Sequence, residues 1–515
     1  MRNKRLTQQD YMARQMRQRI AAEFVVDAPI GGWNTRETID NMPPTDAVVL
    51  DNWVPDMGAV TLRPGYEEYC DIGTDDDVYT LIPFDNGNPS DKKFFACAGT
   101  KIYNITVPSL PSAATTGKTT GKWQWAQFDG KLGIVNGVDY PMRYDPDASP
   151  ALDQMTISGT GLTSQSVTGI NVFKNRTWFW MKESQDVWYS ALYTMGGTLT
   201  KFPLSRVGHF GGSLVTMQTW TRDGGSGPDD FAVFIMSSGE AIIYQGSSPA
   251  VGGDWSIVGV YNIGAPLSQR AAIKFGPDLF MITDLDYVNL SEVLSGMEAK
   301  TTRTKANGAL QTEIKLNRAQ WGWEAFAWPE GRLVFFNIPQ GDGVYRQHVL
   351  NYVTGAWCRF IGINAHTWCL YDNELYFGAT GGKIYRLSRD LYTDDGDPIY
   401  TEMQPAWNSL GSGARKTIVG LREFIDTSNS VVNSNRYSVD FERFDPHEFP
   451  APVDDSGTPW GSAWGSPWSS SIKVQSNWNV IHGYGTTVSF QKKMSLKQKT
   501  SYLGSTWLYK QGERL

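Results

Sequence analysis

Charge is scarce in this sequence. Only 19% of its 515 residues are Asp, Glu, Lys or Arg, against roughly 25% in an average soluble domain. Cysteine and histidine are scarcer still, at 4 and 5 residues. Cys70, Cys97, Cys358 and Cys369 are scattered and form no C-x-x-C pair, which excludes a disulfide scaffold and a cysteine zinc site and leaves buried free thiols. His209, His348, His366, His447 and His482 show neither the H-x-x-x-H nor the H-x-H spacing of a metal site. No apolar run approaches the ~18 residues of a membrane-spanning helix. The basic N-terminus lacks the apolar segment of about 7–15 residues that a secretory signal needs, so synthesis in a reducing cytoplasm is expected.

Catalytic signatures are missing too. There is no G-x-S-x-G elbow and no phosphate-binding G-x-x-x-x-G-K-[ST] loop. The TTGKTTGK stretch at 115–122 lacks the required first glycine and a preceding buried strand, and reads as a polar loop. The acidic runs at 75–77 and 393–397 lack the D-x-D-x-D-G calcium pattern and read as solvated turns. VDDSGTPW at 453–460 approaches a sialidase Asp-box, but it occurs once and outside the repeats described below. No metal or cofactor is implied.

What remains is abundant in aromatics and turns. Trp, Tyr and Phe number 20, 23 and 23, Gly 52 and Pro 26, and 41% of the residues are hydrophobic. Such a chain supplies a large core and many tight turns, the composition of a large all-β protein. The formal net charge of -7 argues against a surface that coats nucleic acid. It does not exclude a protein that encloses nucleic acid without gripping it.

Four segments differ in character. Residues 1–26 form a basic arm, a helix candidate over 1–22 with Arg14, Arg17 and Arg19 as candidate contacts to a neighbouring subunit. Residues 27–66 read as an extended strap, because Pro43, Pro44, Pro55 and Pro64 forbid a long helix. A short helical turn is expected around 46–52, and a first strand at Val60 and Leu62. Residues 67–400 repeat a unit of apolar strand, Gly/Asp/Asn turn and aromatic-centred strand, clearest in FFACAGTKIYNI and NELYFGATGGKIYRL. Tyr103, Tyr140, Tyr189, Tyr244, Tyr287, Tyr345 and Tyr385 mark the repeats with a period of about 47 residues, within the ~40–50 of a four-stranded propeller blade. An irregular β-propeller of about six or seven blades is expected there, a β-sandwich being the rival.

Residues 401–515 read as a separate C-terminal β module, sandwich-like, from the alternation of Tyr437, Val439 and Phe441. Within it Trp460, Trp464 and Trp468 repeat every fourth residue, but Pro459, Gly461, Gly465 and Pro467 exclude a helix. They lie in a loop whose aromatics need cover, and another chain could provide it.

The most specific stretch is 31–66, G-G-W-N-T-R-(x)6-M-P-P-T-D-A-(x)3-D-N-W-x-P-(x)7-L-R-P-G-Y. On Asn34, Arg36, Met42, Pro43, Pro44, Ala47, Asn52, Pro55, Leu62, Arg63, Pro64, Gly65 and Tyr66 it resembles the N-terminal region of the tail nozzle, tail tubular protein B or tail hub family of short-tailed bacteriophages. GYGTTVSF and the terminal YLGSTWLYKQGERL resemble the closing β module of that family. The resemblance implies a structural virion protein of the tail with no catalytic residue. It implies a homo-oligomer, a hexameric ring below a tail adaptor, that carries a tail fibre or tailspike and can contact the host surface. It implies that double-stranded DNA is retained and then passes through the lumen without specific binding. The rivals are a glycan-binding or glycan-cleaving propeller, such as a tail-associated depolymerase, and a cellular protein-binding propeller, which would show regular blade signatures.

Overall fold

The structure, a computed structural model, describes residues 21–512 apart from 224–227, 252, 277, 295–302, 429–430, 443, 445–446, 453–472 and 477. The chain divides into two units, one of Met1–Tyr66, Val349–Gly362 and Arg389–Leu515, the other of Glu67–His348 and Ile363–Ser388. Both are built almost wholly of strands.

The second unit is a propeller-like succession of small antiparallel sheets. Four consecutive sheets have four strands each, starting at Val78–Phe84, Gln124–Phe128, Val167–Phe173 and Leu214–Asp223, and each follows chain order from its first strand outward. A three-stranded sheet starts at Ala272–Phe275; the sixth and seventh groups of strands, starting at Glu324–Trp328 and Thr367–Tyr371, are the two ends of one continuous hydrogen-bonded sheet. The seven first strands pack side by side in that order, and Thr367–Tyr371 packs back against Val78–Phe84, so the ring closes. The strand Gly65–Asp71 neighbours Lys383–Ser388 in the last sheet, with Glu67 on Arg386 and Glu68 on Lys383. A strand from before the first sheet thus completes the last one.

The hydrophobic pattern explains the stacking. The second strand of the first sheet, Lys93–Ala98, is a nearly unbroken buried run, as a strand covered on both faces should be. Its Phe94, Ala96 and Ala98 pack toward Cys369, Tyr376 and Ile384 of the seventh sheet. Its Phe95 and Cys97 face Trp123, Leu132 and Ile134 of the second. The same division recurs in Pro228–Met236, whose Ala232, Phe234 and Met236 join the third sheet's core while Val233 and Ile235 join the fifth's. One sheet alone could bury neither face.

The tyrosine period marks these sheets. Tyr103, Tyr189, Tyr244, Tyr287, Tyr345 and Tyr385 each lie in the third strand of a sheet. Tyr140 does not: it precedes Met142–Tyr144 and is 47% exposed, and buried Tyr144 takes its place in the core. The helix Asn307–Asn317, between the fifth and sixth sheets, interrupts the repeat; Leu310 and Ile314, one turn apart, are buried.

The first unit brings the chain's two ends together. Ala22–Asp27 and Ala59–Leu62 pair with Thr500–Gln511, which also pairs along Lys416–Thr427. A second sheet joins Asp46–Asp51, Asp397–Pro405, Val488–Leu496 and Asn433–Val439. Side chains of the two sheets meet, Phe490 contacting Tyr502 and Trp507. The strap, Val349–Gly362 and the chain from Arg389 onward therefore share one unit, with no boundary at 400/401, because the strap and the C-terminal strands complete each other's ladders. The helical turn expected at 46–52 is instead the strand Asp46–Asp51; pairing with Asp397–Pro405 and burial of Ala47 and Leu50 outweigh any local turn preference. The N-terminal helix expected over 1–22 falls outside the described residues as far as 20, and Ala22 already begins the strand Ala22–Asp27, held in the ladder with Thr500–Gln511. All four cysteines are buried and unbridged.

Candidate functional sites

Two groups of residues stand out, one in each unit. The first contains the residues that carry the phage-tail resemblance. Arg63 is fully buried, and its guanidinium spans Asp394 as a fork, Nη1 to Oδ1 at 2.9 Å and Nη2 to Oδ2 at 2.6 Å. Its Nε donates to Asn52 Oδ1 at 2.8 Å and its Nη1 to Pro64 O at 2.9 Å. Asn52 holds a left-handed backbone, φ 61°, and its side chain accepts from Ile361 N and donates to Ile361 O and Tyr400 O. A planar fork and an amide are chemically suited to this knot of backbone carbonyls and carboxylate.

The rest of the motif surrounds it. Asn34 is buried, donates to Asp46 at 2.7 Å and accepts from the Arg36 and Glu37 amides. Pro43 O accepts from Asp46 N, and Pro55 O from Asn351 Nδ2. Met42 is buried, whereas Pro44 and Arg36 are exposed, Arg36 pairing with Glu37. Gly65 donates to Leu391 O, and a Cβ there would run into the Thr393 carbonyl. Tyr66 O accepts from Asp395 N. Asp51 holds Arg359 by two bonds of 2.7 Å, with the guanidinium 5.3 Å from the Trp33 ring centre. Asn351 and Arg359 were not singled out from the sequence, since nothing in their spacing joins them to the strap; Asp394, in the run at 393–397 expected to be a solvated turn, is instead 13% exposed because it neutralises the buried Arg63. Arg14, Arg17, Arg19, Trp460, Trp464 and Trp468 lie outside the described residues.

The second group was also missed in the sequence. A cavity of about 900 Å³ opens where the seven first strands of the propeller-like unit begin. Asp77 and Tyr79, Lys122, Thr168, Val215, Ser268 and Gln269, Trp321, and His366 reach it from the starts of all seven sheets. Each sheet runs outward from an inner strand of the same direction, so all seven entry segments converge at one end of the ring.

Arg270 ties this end together. It donates to Tyr79 O, Thr80 Oγ1, Trp123 O and Thr367 Oγ1, at 3.2, 2.8, 2.6 and 3.0 Å. Glu324, buried 3.9 Å from Arg270, accepts from Trp368 N at 3.2 Å. Burial raises its pKa, against the pull of Arg270. Closer to the opening, Tyr345 and His366 share a 2.9 Å hydrogen bond at Nδ1, and His366 Nε2 lies 3.8 Å from Asp77. The Tyr79 hydroxyl donates to Asp77 at 3.0 Å. Lys122 Nζ sits 4.8 Å from the Tyr79 ring centre and 5.1 Å from that of Trp321. Burial lowers the Lys122 pKa, with Asp77 opposing.

Burial also lowers the His366 pKa from its ordinary 6.5, Asp77 opposing and Lys122 assisting. The folded chain therefore holds this proton less tightly than the unfolded chain. Stability from this group is full above 6.5 and is lost as pH falls toward the folded value. Thermal unfolding between about pH 7.5 and 5.5 should show this loss in the wild type and a smaller one in His366→Gln; identical profiles would contradict it.

No family model and no curated protein matches the chain. Among solved structures, YCF48 bound to D1 peptide is 11% identical with a TM-score of 0.39, over 64% of this chain and 98% of that one. YCF48 from Cyanidioschyzon merolae is 11% identical with a TM-score of 0.36, over 63% and 98%. The exo-beta-1,3-galactanase Pc1,3Gal43A from Phanerochaete chrysosporium, with galactose, is 10% identical with a TM-score of 0.26, over 75% and 95%. Likenesses this distant carry no argument about activity, and the ring of seven sheets stands on its own strand order.

Proposed function

We propose that this chain is a tail nozzle subunit of a short-tailed bacteriophage, with a seven-bladed propeller and a sandwich-like module formed by its two ends. In this reading copies assemble into a closed ring, about six-fold, that meets a tail adaptor and carries a fibre or tailspike. The ring retains packaged DNA and lets it pass on infection. The reading requires no catalytic residue.

The observation that carries it is an uncovered edge. Trp478–Gly485 pairs along Lys416–Thr427, and among the described residues no other strand continues the sheet beyond it. Trp478, Val480 and Tyr484 alternate onto one face of this edge and are 43%, 77% and 55% exposed. Natural proteins blunt or cover such edges, and a second copy would cover this one by closed assembly. The buried state of most motif residues adds that the resemblance rests on scaffold, as a structural role needs. The net charge of -7 suits a conduit, since each phosphate contact would brake DNA in transit.

Electron microscopy of particles carrying a tagged copy of this chain tests the assignment. The tag is expected at the distal end of the tail, and a tag on the capsid or absent from particles overturns the reading.

A further inference from the structure

The sheet that ends at Trp478–Gly485 has a second free edge on its opposite side. Across it run Trp478–Gly485, Lys416–Thr427, Thr500–Gln511 and Ala22–Asp27, each antiparallel to the next. Among the described residues Ala22–Asp27 pairs with Thr500–Gln511 alone. The two edges stand level with each other. Val25 pairs with Thr506, Thr506 with Arg422 and Arg422 with Trp478, so one row of side chains crosses the sheet on a single face. A second row joins Glu23, Leu508, Gly420 and Val480. At the ends of these rows Val25, Trp478 and Val480 are 66%, 43% and 77% exposed. Both edges therefore combine unpaired backbone groups with exposed apolar side chains, the combination that takes up a further strand.

Strand sense and charge say which edge meets which. Three antiparallel pairings in succession leave the two outer strands pointing in opposite senses. Rotation about an axis close to the strand direction keeps each strand's sense, so a second copy brought alongside offers its Ala22–Asp27 antiparallel to Trp478–Gly485. Closed rotation adds no shift along the axis, which brings Val25 of the next copy near Trp478 and its Glu23 near Val480. Two different edges that match in this way repeat head to tail and close as a ring, whereas an edge paired with its own copy stops at a dimer. Glu23 and Asp27 are exposed on one edge, and neither enters an ion pair among the described residues. Beside the other edge Arg415 lies 5.7 Å from the Tyr484 ring centre, and Arg422 donates to Ser476 and meets no carboxylate among the described residues. Opposite charges therefore face each other head to tail, while two copies of the arginine-bearing edge would repel.

We propose that Trp478–Gly485 of one copy pairs with Ala22–Asp27 of the next, so that this sheet continues from copy to copy around the ring. The joint rests on the ring assembly proposed above and specifies the two strands that form it. Both strands belong to the same unit of the chain.

Cysteine pairs on the full chain test the joint. Glu23→Cys or Val25→Cys is combined with Trp478→Cys or Val480→Cys, and assembled protein is oxidised mildly; the four native cysteines are buried and stay silent. At least one of the four double variants is expected to give a ladder of disulfide-linked oligomers, and the single-cysteine variants none. Val25→Asp, at an exposed position, is expected to keep the wild-type unfolding midpoint and to lose the ring at concentrations where the wild type forms it. The crosslinking decides the matter even where Val25→Asp folds poorly. No ladder from any double variant that assembles, crosslinked dimers from Val480→Cys alone, or a folded Val25→Asp that assembles as the wild type does would each overturn the joint and leave the ring standing. A wild-type chain that stays monomeric, alone and with a candidate adaptor, overturns the ring and the joint with it.

Discussion

Arg63→Met is expected to destabilise the chain by about 3–5 kcal/mol, the usual consequence of removing one partner from a buried charged pair. The substitution leaves the Asp394 carboxylate, only 13% exposed, without the fork that neutralises it. It also removes donors from Asn52 Oδ1 and Pro64 O in the same step. Lysine should not rescue it. A single ammonium cannot reach both Asp394 oxygens, Asn52 and a backbone carbonyl in one plane. Arg36→Ala is the matched control, since Arg36 belongs to the same motif but is exposed and pairs with its sequence neighbour Glu37. Its cost should stay below about 0.5 kcal/mol. Urea unfolding of the three variants checks both statements. A loss below about 1 kcal/mol for Arg63→Met would mean that the knot is not a structural centre of its unit.

The second large effect is expected between the two sheets of the same unit. Lys492 on Val488–Leu496 is fully buried and lies 2.8 Å from Glu423 on Lys416–Thr427, itself 4% exposed. Asn435 donates to the other Glu423 oxygen at 2.8 Å. Lys492→Met alone strands the carboxylate and should cost about 3–5 kcal/mol. Lys492→Met combined with Glu423→Leu should recover most of that loss, because an apolar pair of similar volume removes the desolvation penalty on both charges. Burial lowers the Lys492 pKa from 10.5, so the folded chain holds that proton less tightly than the unfolded one. Wild-type stability should therefore rise as alkaline pH approaches 10.5, and Lys492→Met should lose that rise. A double variant no more stable than the single one would contradict this account.

Local chemistry made part of this molecule legible in advance. The repeated strand–turn–aromatic unit could be read because each sheet needs the same buried strand and the same positive-φ turns. Tyr140 deceived because a period alone does not separate a buried third-strand aromatic from an exposed one two residues before that strand. The turn expected at 46–52 failed for a different reason. Asp46–Asp51 is held by Asp397–Pro405, more than 340 residues away, and no short-range pattern reports such a partner. Comparable sequence separation hid Arg359, whose carbonyl accepts from Asn52 N and whose side chain holds Asp51, and made Asp394, the partner of Arg63, look like part of a solvated turn. Lys122 and His366 stayed hidden because ring closure alone brings the polar loop at 115–122 and the start of the last sheet to one cavity. What could be read lies within single hairpins, and what could not is assembled by the closure of a ring and the meeting of the two chain ends.

The proposed ring requires that the exposed row Trp478, Val480 and Tyr484 be covered by further copies of the chain. Mass measurement of the full chain in solution, alone and with a candidate tail adaptor as the proposed function requires, is the direct test. A closed assembly of about six copies is expected, and its loss in Val480→Asp with the monomer still folded. A wild-type chain that remains monomeric at micromolar concentration in both conditions would contradict it.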